Sequence, residues 1–171
     1  IGDFGKESYQ FIDLISEVKT EVWQVLPLGI TDNIEYSPYS SKSSILGNPY
    51  IISLDQLDNE IFTKNELEEI KIINSDEVDY KLVYKNKDIL YKKISGRVNI
   101  NDSKYQEYIE NDLKKKHITF ITLSELFKGP WNTWSKKYQN YSEDLFVEVF
   151  NKFSDTFIKN IYLQNEFDNQ W

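Results

Sequence analysis

The chain has 171 residues, of which 40% are hydrophobic and 28% charged, an ordinary balance for a folded domain with a buried core. A net charge of −8 sets aside a general nucleic-acid binder, because such proteins draw most of their affinity from neutralising phosphates. With no cysteine and His117 as the only histidine, disulfides, thiolate catalysis and multi-histidine metal sites are excluded, and a reducing cytoplasm is the simplest setting.

In chain order, residues 6–18 predict a helix, since Phe11, Ile12, Ile15 and Val18 recur at helical spacing with Glu7, Asp13 and Glu17 outside the stripe. Val22–Leu26 is a short bulky apolar run stopped by Pro27 and Gly29, the pattern of a strand buried on both faces, with Trp23 in the core. Residues 28–50 carry Gly29, Pro38, Gly47 and Pro49 among Ser and Tyr, and predict a long loop of the kind that often has a function. Ser53 is placed to cap a short helix over Leu54–Asn59, and Thr63-Lys64-Asn65-Glu66 is a capping box. Glu66, Glu68 and Glu69 then read as charges complementing a helix N-terminus, not as a metal cluster.

From Asp76 onward the pattern is mostly helical, with a weakly patterned connection near Gly96–Asn101. The candidate stripes are Tyr80, Val83, Leu90 and Tyr91; then Tyr105, Tyr108, Ile109 and Leu113; then Phe120, Leu123 and Phe127, ended by Gly129-Pro130. Lys114-Lys115-Lys116 and His117 read as an exposed helix face. Residues 142–171 predict one final amphipathic helix burying Leu145, Val149, Phe153, Phe157, Ile161 and Phe167. No apolar run approaches the ~20 residues that span a bilayer. The chain begins at Ile1 and holds no Met, which reads as a segment of a longer protein.

These pieces resemble, in order, the amino-terminal part of 4-alpha-glucanotransferases of the amylomaltase type, glycoside hydrolase family 77. The resemblance rests on Gly2-Asp3-Phe4-Gly5, Trp23-Gln24-Val25-Leu26-Pro27-Leu28-Gly29, Ser37-Pro38-Tyr39 and Gly47-Asn48-Pro49-Tyr50. Val78-Asp79-Tyr80 with Val83 and Lys87, Trp131-Asn132-Thr133-Trp134 and Gln170-Trp171 extend it to the end of the chain. It implies an α/β fold: residues 1–52 as the start of a (β/α)8 TIM barrel with a substrate loop, and residues 53–171 as a mainly helical inserted subdomain. Sites in such barrels lie on loops after the strands, where residues 28–50 fall.

The family transfers α-1,4-glucan segments from donor to acceptor with retention, which requires two carboxyl groups about 5–5.5 Å apart. No residue of this chain matches the family's carboxylate motifs, so no catalytic residue is expected here, and neither a metal nor a cofactor is implied. The resemblance assigns Tyr39 to the sugar beside the bond being broken, with Ser37 as a neighbour and Asn48 holding the loop more than touching glucan. The expected partners are α-1,4-glucans (maltooligosaccharides, amylose, glycogen), not nucleic acid or membrane, in the cytoplasm. Ile34 and Ser40 depart from the family pattern. Ile34 stands where some members carry an aromatic for a secondary glucan site, and Ser40 where a Gln is common. Trp131 and Trp134 read as anchors of the helical part. The alternative is a non-catalytic glycan-binding or helical interaction module derived from such an enzyme.

Overall fold

The computed structural model describes residues 2–71, 77–127 and 129–171, so the predicted start of the helical part at Asp76 lies outside the described residues. Seven α-helices carry the described fold: α1 (Lys6–Glu17), α2 (Lys64–Glu69), α3 (Tyr80–Tyr91), α4 (Ser103–Glu110), α5 (Asp112–Leu126), α6 (Glu143–Lys152) and α7 (Ser154–Gln170). Short 3-10 turns occupy Pro49–Ile51, Leu54–Gln56, Trp131–Thr133 and Lys136–Tyr138.

Local chemistry starts these helices. The capping box is formed, with Thr63 Oγ1 accepting from the Glu66 amide and Glu66 Oε2 accepting from the Thr63 amide. Asp79, Asn111 and Ser142 cap α3, α5 and α6 through side-chain oxygens that accept first-turn amides. Ser53 precedes only a single 3-10 turn and caps nothing with its hydroxyl.

The core gathers around α7, which is buried continuously from Ile161 to Phe167 and packs against α4, α5 and α6. A helix covered on all sides needs no polar face, and its polar residues then have other work to do. Ile52, Phe62, Leu90, Ile94, Tyr105, Tyr108, Ile118, Leu123, Val149 and Phe157 complete the densest part of this core.

Four expectations are revised. No strand forms among the described residues: the only β pairing is two isolated antiparallel bridges, Gly29 with Gly47 and Thr31 with Ser41. Val22–Leu26 has no ladder partner among the described residues and lies in water, Val22 being 79% and Leu26 57% exposed, with Trp23 resting edge-on against Phe11. A strand exists only by pairing, so apolar character alone does not make one. The α1 stripe is only partly covered, with Ile12 and Val18 exposed and Phe11 and Ile15 half-buried.

The predicted final helix is two helices, divided at Phe153, whose φ −124° and ψ 35° leave the helical region. In a straight helix, side chains seven residues apart are separated by about 10.5 Å along the axis. The bend instead brings the Phe150 and Phe157 rings to 5.3 Å, and Phe146 and Phe157 to 5.7 Å. Similarly, α4 ends at Asn111, so Leu113 does not continue the Tyr105–Tyr108 stripe and is exposed.

Candidate functional site

Residues 28–50 form the feature that sequence singled out, and the structure carries its base on to Ser53. Two bridges close the loop at its neck, supported by Ile30 N–H to Leu46 O (3.3 Å), Lys42 N–H to Ile30 O (2.9 Å) and Asn48 N–H to Leu28 O (2.7 Å). In the outer part, Asp32 Oδ1 accepts the Ile34 and Glu35 amides, both at 2.7 Å, an Asx turn that also holds the Asp32 carboxyl below its usual pKa. Tyr36 adopts φ 55° and lays its ring on Tyr80, at 5.1 Å between centroids, with its edge toward Tyr84. Tyr84 in turn stacks on Tyr50, 3.5 Å away.

The Ser37-Pro38-Tyr39 motif is a tight turn in which Ser37 Oγ accepts the Tyr39 amide at 3.3 Å and Ser37 O accepts the Ser40 amide at 3.1 Å. The Tyr39 side chain projects into solvent, 75% exposed. Ser37 and Tyr39 are thus brought together, whereas Asn48 sits at the loop's base. There its Oδ1 accepts the Tyr50 amide and its Nδ2 donates to Thr31 Oγ1. Ile34 is also fully in solvent.

The base of the loop, Gly47–Ser53, has every backbone polar group paired. Gln164 holds Gly47 by both ends, Oε1 accepting its amide and Nε2 donating to its carbonyl, each at 2.8 Å. Gln170 repeats this on Ser53, at 2.7 and 3.1 Å. Lys87 Nζ donates to the carbonyls of Tyr50 (2.8 Å) and Ile52 (2.6 Å), and the Tyr91 hydroxyl donates to Pro49 O (2.7 Å). The Phe4 amide takes Ile51 O, and the 3-10 turn closes Asn48 O with the Ile51 amide. Burial pushes the Lys87 ammonium down to about 8, partly opposed by the charge of Asp3. Gly47 must be glycine, because a Cβ there would stand 2.2 Å from the Phe167 ring.

A cleft of about 700 Å³ lies between this base and helices α3, α5 and α7, walled by Tyr50, Tyr84, Asp88, Glu125 and Trp131. Ser37, Tyr39 and Asn48 are not among its lining residues. The Tyr50 hydroxyl donates to Asp88 Oδ1 at 2.6 Å; burial, then this bond, raises its pKa. A second hollow, about 210 Å³, opens among Phe4, Ile12, Trp23, Val25 and Trp171. Among the described residues no group of acidic or histidine side chains could hold a metal ion.

His117 is half-buried, and its Nδ1 lies 2.8 Å from Ser43 Oγ, joining α5 to the loop instead of facing water. The three lysines are not a free face either: Lys115 pairs with Glu143 at 2.9 Å and Lys114 with Glu107 and Asp168 at 3.0 and 3.2 Å, while Lys116 sits over the Tyr141 ring. Trp134 is an anchor, packed on Phe120 and Phe127, whereas Trp131 is about half exposed. Sequence reasoning missed Gln164, Gln170 and the Tyr36–Tyr80–Tyr84 stack. Lys87 did carry a signal, since it occupies the Val83–Leu90 stripe where an apolar residue was due.

Comparison with known proteins adds independent findings. Residues 1–171 match the glycoside hydrolase family 77 model, described as 4-alpha-glucanotransferase. A 4-alpha-glucanotransferase of Clostridium butyricum is 31% identical over 181 residues, covering 100% of this chain and 36% of that protein. One of Synechocystis is 33% identical over 80% of this chain and 28% of its own length. The solved amylomaltase of Streptococcus agalactiae, in complex with acarbose, superposes with a TM-score of 0.83 at 26% identity, again over 100% of this chain and 36% of that one. The chain spans roughly a third of the length of these relatives.

Proposed function

We propose, from the premise that this chain belongs to glycoside hydrolase family 77, the 4-alpha-glucanotransferases, that it serves as the amino-terminal part of an enzyme moving α-1,4-glucan segments between glucans with retention. Residues 1–52 supply the opening of a barrel and its substrate loop, and 53–171 the helical insertion that supports it. The exposed apolar run Val22–Leu26 supports this division, since an unpaired apolar segment is what a barrel strand is without its neighbours. The carboxylates that form and break the glycosyl bond lie outside this chain, whose share is binding. The cytoplasm is the proposed setting; no helix among the described residues is long and apolar enough to cross a membrane.

The observation that carries the reading is the closed loop presenting Tyr39 outward from a fully hydrogen-bonded base. A phenol suits a glucan because its ring offers an apolar face to the sugar and its hydroxyl a partner for the sugar oxygens. The test is transfer between maltotriose molecules by the full-length protein, unaltered and as Tyr39→Phe and Tyr39→Ala. Losing a ring contact worth about 0.5–1.5 kcal/mol weakens kcat/KM by roughly twofold to tenfold in Tyr39→Ala, with Tyr39→Phe between the two. Absence of any transfer product sinks the enzymatic reading. Transfer that is equal in all three proteins removes Tyr39 from the site and leaves the enzyme standing.

A further inference from the structure

The buried glutamines of α7 have no place in the chemistry above, yet each makes two hydrogen bonds to the backbone of the loop base. An extended residue presents its N–H and C=O on the same side, and only a primary amide offers both an acceptor and a donor at the matching spacing. Gln164 and Gln170 each meet one residue in this two-ended way, standing where a neighbouring strand would stand. Their targets, Gly47 and Ser53, are six residues apart, as are the glutamines themselves. Six helical residues rise about 9 Å. The loop base therefore climbs α7 in step with it, its 3-10 turn at Pro49–Ile51 taking up the extra chain. Lys87 fills the gap between the two glutamines by capping the carbonyls of Tyr50 and Ile52.

We infer that Gln164 and Gln170 are positioning residues for glucan binding: they fix the loop base to α7 and so fix where the Gly29–Gly47 neck aims Tyr39. The inference rests on the reading of the loop as a glucan contact. Both side chains are buried and close to isosteric with methionine, which keeps the packing and removes donor and acceptor together. A Glu at either position keeps an acceptor for the amide and loses the donor for the carbonyl.

The experiment uses the full-length protein unaltered and as Gln164→Met, Gln170→Met and Gln164→Glu, with two readouts. Hydrogen exchange at the Gly47 and Ser53 amides is expected to quicken at least tenfold in the matching Met variant, with α5 amides unchanged. The KM for maltotriose is expected to rise at least threefold with kcat within twofold, because a misplaced loop loses binding shared by ground and transition states. A purely structural glutamine would lower the folded fraction, and hence apparent kcat, without moving KM. If Gln164→Met fails to fold, Gln170→Met carries the same test at Ser53, and the reverse holds equally. Unchanged exchange shows there is no clamp; faster exchange with an unchanged KM shows a clamp that positions nothing, and either result overturns the inference. An unaltered protein without transfer activity overturns the functional reading and the positioning role with it, while the exchange readout still separates that failure from absence of the clamp.

Discussion

Tyr162 shows what one unpaired atom implies. Its ring is fully buried against Phe62, 6.2 Å between centroids, but its hydroxyl has no hydrogen-bond partner among the described residues. Burial, first, and the nearby Glu166 carboxylate raise its pKa, so the hydroxyl stays neutral. A buried unpaired hydroxyl costs about 1–3 kcal/mol of desolvation. In the full-length protein, Tyr162→Phe removes that group without opening a cavity and is expected to stabilise the fold by roughly 1 kcal/mol; a lower midpoint in urea would show the hydroxyl to be paired. At this scale, legibility depended on sequence distance. The Thr63–Glu66 box could be read because its partners are three residues apart, while the Lys93 and Arg97 contacts that complete Glu66, both at 2.8 Å, could not.

At the scale of elements, the joint between the loop and α5 has a preferred protonation state. Ser43 Oγ accepts the Ile45 and Leu46 amides at 3.2 and 3.0 Å, which commits its own proton to His117 Nδ1. The imidazole is then neutral with its proton on Nε2, and burial lowers its pKa below 6.5. The unfolded chain therefore binds this proton at higher pH than the folded one. Stability from the joint is complete above pH 6.5 and falls as pH drops through the lowered folded value. The expected result, in the full-length protein, is a melting temperature that declines on acidification from pH 7 to 5.5 and declines less in His117→Gln; parallel curves for the two proteins would refute it. Helices with sequence-local caps were readable, as was the helical character of the chain beyond residue 80. The breaks at Asn111 and Phe153 were not, because each is set by what packs across it: Phe150 on Phe157, for example. His117 was missed because its partner lies 74 residues away in the loop.

For the whole molecule, the dominant fact is an asymmetry of covering. One side is closed around α7, while Val22, Trp23, Leu26, Ile12 and Trp171 leave apolar surface in water around the smaller hollow. Apolar patches of this kind bind something or aggregate. The isolated chain is expected to melt without a sharp transition, at a midpoint that moves with protein concentration, and to elute above its 20.3 kDa mass on a sizing column. A cooperative melt independent of concentration would overturn that. The family was legible because short motifs survive in order along the chain, whereas the fold was only partly so. Sequence marks Val22–Leu26 as apolar but cannot say whether a partner strand is present to pair with it.

The two glutamine contacts also fix an order of events in time. Gly47 meets Gln164, and Ser53 meets Gln170, across the same interval of 117 residues. A ribosome adding about 5–20 residues per second needs roughly 6 to 23 s to cross that interval. Through all of it the loop base has been made and its fasteners have not. A nascent chain stalled before α7 emerges therefore carries an unset loop, with the carbonyls of Gly47 and Ser53 left to water, and that loop becomes one of the last parts of this segment to take shape, although it is among the first to be synthesised.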